Sequence, residues 1–244
     1  MNTNGFGSPT ALSRLGQEGD SRSAQSLRAI RWLEAQPGGP IVVVTPQKRL
    51  DSEIIEEFVR SPEMSHVSWK GMSPGVLTGH RVLHAWPRRE HLNDLWGVDV
   101  DALAVIEWSD LDEWILDARP SLLLPGQTMH PGKDSQPQDV PSVPADVSGI
   151  LTYLAGMASG YNSGLKWDET HKLKADLMNT PNRWQGVTPD EVRKECRRLG
   201  MRPADTDTVV ELVARRKQGR RFNLARSSYK DFAFQPATEL KSAP

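Results

Sequence analysis

The chain has 244 residues, 37% of them hydrophobic and 25% charged, which suits a globular protein of two modest domains. No apolar run approaches the roughly 20 residues that cross a bilayer. The Gly/Ser/Asn-rich segment 1–20 lacks the apolar centre of a signal peptide, and the lone cysteine, Cys196, excludes an intrachain disulfide or a cysteine-based zinc cluster. A cytoplasmic, reducing setting without a membrane partner is expected. The net charge of −1 conceals a division: residues 1–182 hold 16 Lys/Arg against 23 Asp/Glu, and residues 183–230 hold 13 against 6.

Residues 1–22 are expected to form a disordered leader. A first helix is predicted over 23–35, with Leu27, Ile30 and Leu33 on one side and Pro37-Gly-Gly-Pro40 ending it. Ile41 to Val44 reads as a strand. Asp51 is placed to cap the following helix, whose buried stripe is Ile54, Ile55, Phe58 and Val59. A second strand is predicted at 66–69, a loop at 71–79, and a third strand at 81–86. Pro87 then opens a helix with Leu92, Leu95 and Trp96, closed by Gly97. The fourth strand, 102–108, is apolar at successive positions, as expected with both faces covered. Ser109 caps a helix carrying Leu111, Trp114, Ile115 and Ala118. This alternation predicts an α/β domain over 23–126, with about four mainly parallel strands and flanking helices. Its ligands would gather at the carboxyl ends of the strands.

Residues 127–144 have the Pro/Gln/Ser composition of a linker. Beyond them an all-α domain is predicted over 145–222, followed by a flexible tail, 223–244. Val147, Ile150, Leu151, Leu154, Met157 and Ala158 mark a first helical stripe, and a second helix spans 167–178. Thr188-Pro-Asp-Glu191 is a capping box with proline at the first helical position. Val192, Cys196 and Leu199 form the apolar line of that helix, and Gly200 stops it. The next helix, 203–217, buries Val209, Val210, Leu212 and Val213. Cys196 reads as a packed residue.

The last two helices, joined by Gly200-Met-Arg-Pro203, make a helix-turn-helix possible. Arg215, Arg216, Lys217, Arg220 and Arg221 follow at its end and are the nucleic-acid-binding candidates. Asp205 and Asp207, in the first turn of the second helix, repel phosphates and suit capping better than groove insertion. Contact would therefore run through the carboxyl end of the helix, with little sequence choice. The competing reading is a solvated helix end whose cations complement the macrodipole.

In the α/β domain the ligand-binding candidates are Thr45, Lys48, Arg49 and Glu107, with Gln47, Arg88, Arg89 and Ser109 also at strand ends. Lys48 and Arg49 precede a helix start and could grip phosphate. Neither Gly-x-x-x-x-Gly-Lys-Ser/Thr nor Gly-x-Gly-x-x-Gly is present, so both common nucleotide signatures are missing. His80, His84 and His91 do not make a metal set with assignable carboxylates, and no Gly-x-Ser-x-Gly nucleophile occurs. No catalytic residue, metal or cofactor is assigned. The eight tryptophans are spaced mainly as core and core-edge residues.

Val42-Val-Val-Thr-Pro46, Ala85-Trp-Pro87 with His91-Leu92, and Val105-Ile-Glu-Trp108 resemble a group of uncharacterised proteins of actinobacteria and their phages. The likeness covers 41–121 and is looser over the helical part. It implies a phage or mobile-element setting and carries over no catalytic residue. The leading expectation is a non-enzymatic accessory protein that contacts the DNA or RNA backbone through the basic helix end, while the α/β domain meets a protein partner. The alternatives are an enzyme or sensor for a phosphorylated ligand or nucleotide at the strand ends, with Glu107 as acid/base, and a protein-interaction scaffold.

Overall fold

The computed structural model describes residues 7–16, 19–50, 52–130, 140–158, 165–224 and 229–235. The chain divides into two units, Met1–Ser135 and Gln136–Pro244. The boundary falls inside the expected linker, of which 131–139 lie outside the described residues.

The first unit runs β1 (Thr10–Ser13), α1 (Arg22–Glu34), β2 (Ile41–Thr45), α2 (Glu53–Val59), β3 (Met64–Ser68), α3 (Pro74–Leu77), β4 (Arg81–Ala85), α4 (Arg89–Asn93), β5 (Ala102–Ile106), α5 (Asp112–Ala118), β6 (Ser121–Leu124) and β7 (Gln127–Met129). Its sheet has seven strands in the order β3-β2-β4-β5-β1-β6-β7, parallel except for β7, which returns antiparallel beside β6. The α/β expectation holds at this level, but three strands escaped it.

The largest correction concerns the leader. Thr10–Ser13 is a central strand, buried throughout and paired on both sides, Leu12 opposite Val105 of β5 and Leu122 of β6. Only Ala11 and Leu12 are apolar, so the segment has no hydrophobic run to announce it. Its polar ends are satisfied instead: Thr10 Oγ1 donates to Ser8 O at 3.0 Å and Ser13 Oγ to Gln25 O at 2.7 Å. The stretch assigned to the start of the linker forms β7, joined to β6 by Pro125-Gly126, with Gly126 at φ 72° as a Pro-Gly turn requires. Asp51, the expected cap of α2, lies outside the described residues.

Strand side chains alternate between two covered faces. Val42, Val44, Val82, Leu103 and Val105 face Leu77, Leu92, Leu95, Leu111 and Trp114 from the α3, α4 and α5 side. Ile41, Val43, Leu83, Ala104 and Ile106 meet Ala29, Ile30 and Leu33 of α1 and Ile55 of α2.

The second unit holds α6 (Ala145–Ala158), α7 (Trp167–Asn179), α8 (Pro181–Trp184), α9 (Pro189–Arg198) and α10 (Pro203–Lys217). Its core joins Ile150, Leu154, Leu173, Trp184, Val192, Cys196, Val209 and Val213. The capping box closes as the spacing predicts: Glu191 N donates to Thr188 Oγ1 at 3.2 Å and Thr188 N to Glu191 Oε2 at 2.7 Å. Gly200, at φ 69°, ends α9 and lets Met201 N reach back to Cys196 O at 2.9 Å. Asp205 and Asp207 do not cap α10. Asp205 is fully buried and accepts from Arg202 Nε at 2.8 Å, and Asp207 pairs with Arg193 at 2.6 Å. Part of the expected flexible tail is docked, since Asn179 Nδ2 donates to Lys230 O and Phe232 O, and Phe234 N donates to Asp176 Oδ1 at 2.9 Å.

Candidate functional site

An open cleft of about 360 Å³ lies at the carboxyl ends of β1 and β5. The chain leaves β1 through α1 toward β2 on one side, whereas β5 and α5 lead across β1 to β6 on the other. This reversal is where open α/β sheets leave a crevice.

The floor of the cleft is an ion pair between the two strand ends. Arg14 donates through Nε and Nη2 to the two carboxylate oxygens of Glu107, both at 2.7 Å, and Nη2 also reaches Asp112 Oδ1 at 2.6 Å. The Glu107 carboxylate, followed by desolvation working the other way and by Asp112, leaves the Arg14 guanidinium protonated well beyond its ordinary range. Beneath it, buried Gln25 donates to Ser13 O and Glu107 O, both at 2.8 Å, clamping β1 to β5. Arg22 Nη1 donates to Gln25 Oε1 at 3.0 Å and Glu107 O at 3.1 Å, and its guanidinium lies 4.3 Å from the centroid of Trp108. Trp108 is 61% exposed. Trp86 meets it edge-on at 6.2 Å, from a backbone at φ 57° that a bulky residue seldom adopts.

Residues 14–21 join β1 to α1, the position of the Gly-x-x-x-x-Gly-Lys-Ser/Thr phosphate loop in a strand–loop–helix unit. Here Arg14 replaces the first glycine, and Gly19-Asp20-Ser21 replaces the closing Gly-Lys-Ser. The charge at the lysine position is therefore reversed. Asp20 accepts from Arg28 Nη1 and Nη2 at 2.9 and 2.7 Å and from Gly16 N at 2.7 Å. Arg28 first, then the Gly16 N–H, hold its carboxyl well below the usual carboxylate range. Gly16 passes so close to Pro125 that a Cβ would lie 2.5 Å from its Cγ. Of the described residues here, Gly16 and Ser21 thus turn their N–H groups to an anion of the chain's own.

Of the ligand-binding candidates, only Glu107 lines the cleft, joined by Ser109 from the wider set. Thr45 lies at the end of β2, and β4 separates β2 from β5, which puts the two strand ends about 10 Å apart. The Thr45 hydroxyl is engaged by Gln47 O and His66 Nε2, each at 2.7 Å. Lys48 and Arg49 are exposed beyond it, outside the cleft lining. A shared phosphate grip by Lys48, Arg49 and Glu107 is therefore not assembled. Arg89 pairs with Asp117 at 2.7 Å. His84 is fully buried, neither ring nitrogen has a hydrogen-bond partner among the described residues, and desolvation pushes its pKa down to about 3. Among the described residues no group of three or more His, Cys, Asp or Glu could hold a metal. Sequence reasoning missed Arg14, Arg22 and Asp20 because they fall in the segment read as a leader.

The basic helix end is only partly available. Arg215 pairs with Glu211 at 2.6 Å, Arg216 Nε donates to Leu177 O at 3.1 Å, and Lys217 Nζ donates to Gln185 O at 2.8 Å. Arg220 and Arg221 are exposed just past the helix. Upstream, Arg183, Arg193, Arg198 and Arg202 are spent on Asp176, Asp207, Glu195 and Asp205.

Among the described residues no helix is long and apolar enough to cross a membrane. Comparisons of the chain with protein-family models, with curated proteins and with solved structures find no match.

Proposed function

We propose that the protein is a non-enzymatic accessory protein that contacts the nucleic-acid backbone through the exposed end of α10, in the phage or mobile-element setting its sequence resemblance implies. The observation that supports this is how the charge is distributed. The carboxylates of the helical unit engage at least five of its arginines, whereas Lys217, Arg220 and Arg221 are exposed and bonded to no carboxylate among the described residues. Cations at a helix end attract phosphate without reading bases. Asp205 is turned into the protein, so the first turn of α10 offers little to a groove.

Titration of the full chain with labelled duplex and single strands tests the reading. Three neutralised phosphates predict an affinity loss of about 40-fold between about 50 and 200 mM salt on duplex, with no sequence preference. Changing Lys217, Arg220 and Arg221 together to Ala should abolish that salt-dependent binding. Binding that is absent at low salt, or untouched by the triple variant, rejects it. In this reading the acidic α/β unit serves a protein partner.

A further inference from the structure

We propose that the strand-end cleft of the α/β unit receives a cationic side chain, best an arginine, from a basic segment of a partner protein. This deepens the partner role given to that unit above and does not depend on the nucleic-acid contact.

The cleft has the size of a small-ligand site, about 360 Å³, and its chemistry selects the occupant. Both guanidinium groups within it are already committed, Arg14 to Glu107 and Asp112, Arg22 to Gln25, the Glu107 carbonyl and the Trp108 ring. The open groups are acceptors. Asp110 and Asp112 are both exposed, and each gives one oxygen to an internal bond, to Asp112 N at 2.8 Å and to Arg14 at 2.6 Å. Trp108, 61% exposed, offers indole surface beside them, held edge-on by the strained Trp86.

An incoming phosphate would meet these carboxylates, and the Gly16 and Ser21 N–H groups that could have met it already donate to Asp20. An incoming guanidinium can lie against the exposed part of the indole that Arg22 does not cover and donate to the carboxylates, which an ammonium does less well. Long-range attraction acts in the same sense, because residues 1–135 hold 13 Lys/Arg against 18 Asp/Glu. Leu15, 37% exposed at the cleft, gives the stem of a peptide side chain an apolar surface that a free amine would leave uncovered.

The test titrates the full chain with a short labelled peptide of alternating arginine and glycine, and with the same peptide carrying citrulline, the neutral isostere. The arginine peptide should bind, and the citrulline peptide should bind at least about tenfold more weakly. Trp108→Ala should weaken arginine-peptide binding about tenfold, and Asp110→Asn with Asp112→Asn should do likewise while keeping both internal acceptors. Duplex binding by these variants should equal that of the parent, which separates failure here from failure of the nucleic-acid reading. Peptide binding that tolerates both sets of changes, equal binding of the citrulline peptide, or Trp108-dependent binding of ATP or a single strand overturns the proposal.

Discussion

Arg14 and Glu107, 93 positions apart in the chain, form a two-bond ion pair that ties the end of β1 to the end of β5. The carboxylate is 11% exposed and the guanidinium 33%, so the pair is held between solvent and core.

Arg14→Ala should therefore cost about 2 kcal/mol, below the 3–5 kcal/mol of a fully buried pair because the site is partly wet. Changing Glu107 to Gln in the same chain should recover part of the loss, since no uncompensated charge remains. Urea unfolding midpoints of the single and double variants measure both effects. A double variant less stable than Arg14→Ala would contradict the expectation.

Asp20 makes the α/β unit acid-sensitive at the lowest pH. Its folded pKa lies below the ordinary 3.8. Its contribution is therefore present above that value and lost as the pH falls through the lower folded pKa. Asp20→Asn should be less stable at pH 7 and lose less stability below about pH 4. Urea titrations at neutral and acid pH would expose parallel curves if Asp20 played no such part.

His84 acts in a different window. Burial and, secondarily, His91, whose ring centroid is 6.4 Å away, keep the folded imidazole neutral down to about pH 3, whereas the unfolded one protonates near 6.5. Its lowered pKa means that stability is full above about 6.5 and falls by about 1.4 kcal/mol per pH unit below it. His66 and His91 are lowered in the same direction, each chiefly by burial, and add to the slope. His84→Leu should flatten the acid limb while holding stability at pH 8 within about 1 kcal/mol, because two unpartnered polar atoms leave with the ring. An unchanged acid limb would refute this role.

Cys196 is fully buried, and desolvation pushes its thiol up to about 12. A disulfide reagent should modify it only through opening of the helical unit, at a rate that rises with urea, as thiol-release kinetics would record. Rapid modification of the native protein would contradict the packing.

The parts of the fold that could be read in advance are those whose burial leaves a period. Val209, Val210, Leu212 and Val213 sit on the α10 stripe where the spacing puts them, and the Thr188–Glu191 cap is local enough to see in four residues. β1 was hidden because its burial comes from two neighbouring strands and not from its own composition. The buried Gln25 is hidden for a related reason: its amide serves main-chain groups of Ser13 and Glu107, which meet only once strand order is known. Glu107 stood out at the end of an apolar strand, but its partner Arg14 lay in a segment without any pattern. The Pro125-Gly126 turn was written locally, yet the Pro-rich residues after it disguised the short return strand.

The central place of β1 has a consequence for how the protein is made. This strand leaves the ribosome before β5 and β6, the two strands it must join, and more than a hundred residues separate it from the second. Until both exist, the growing chain exposes unpaired edges on β5 and on β1 itself, the condition under which nascent sheets mispair. Completion of the sheet is therefore a late, long-range insertion rather than a zipping of neighbours. The Arg14–Glu107 clasp can close only once β5 has emerged and paired with β1, which makes it a marker of that long-range step.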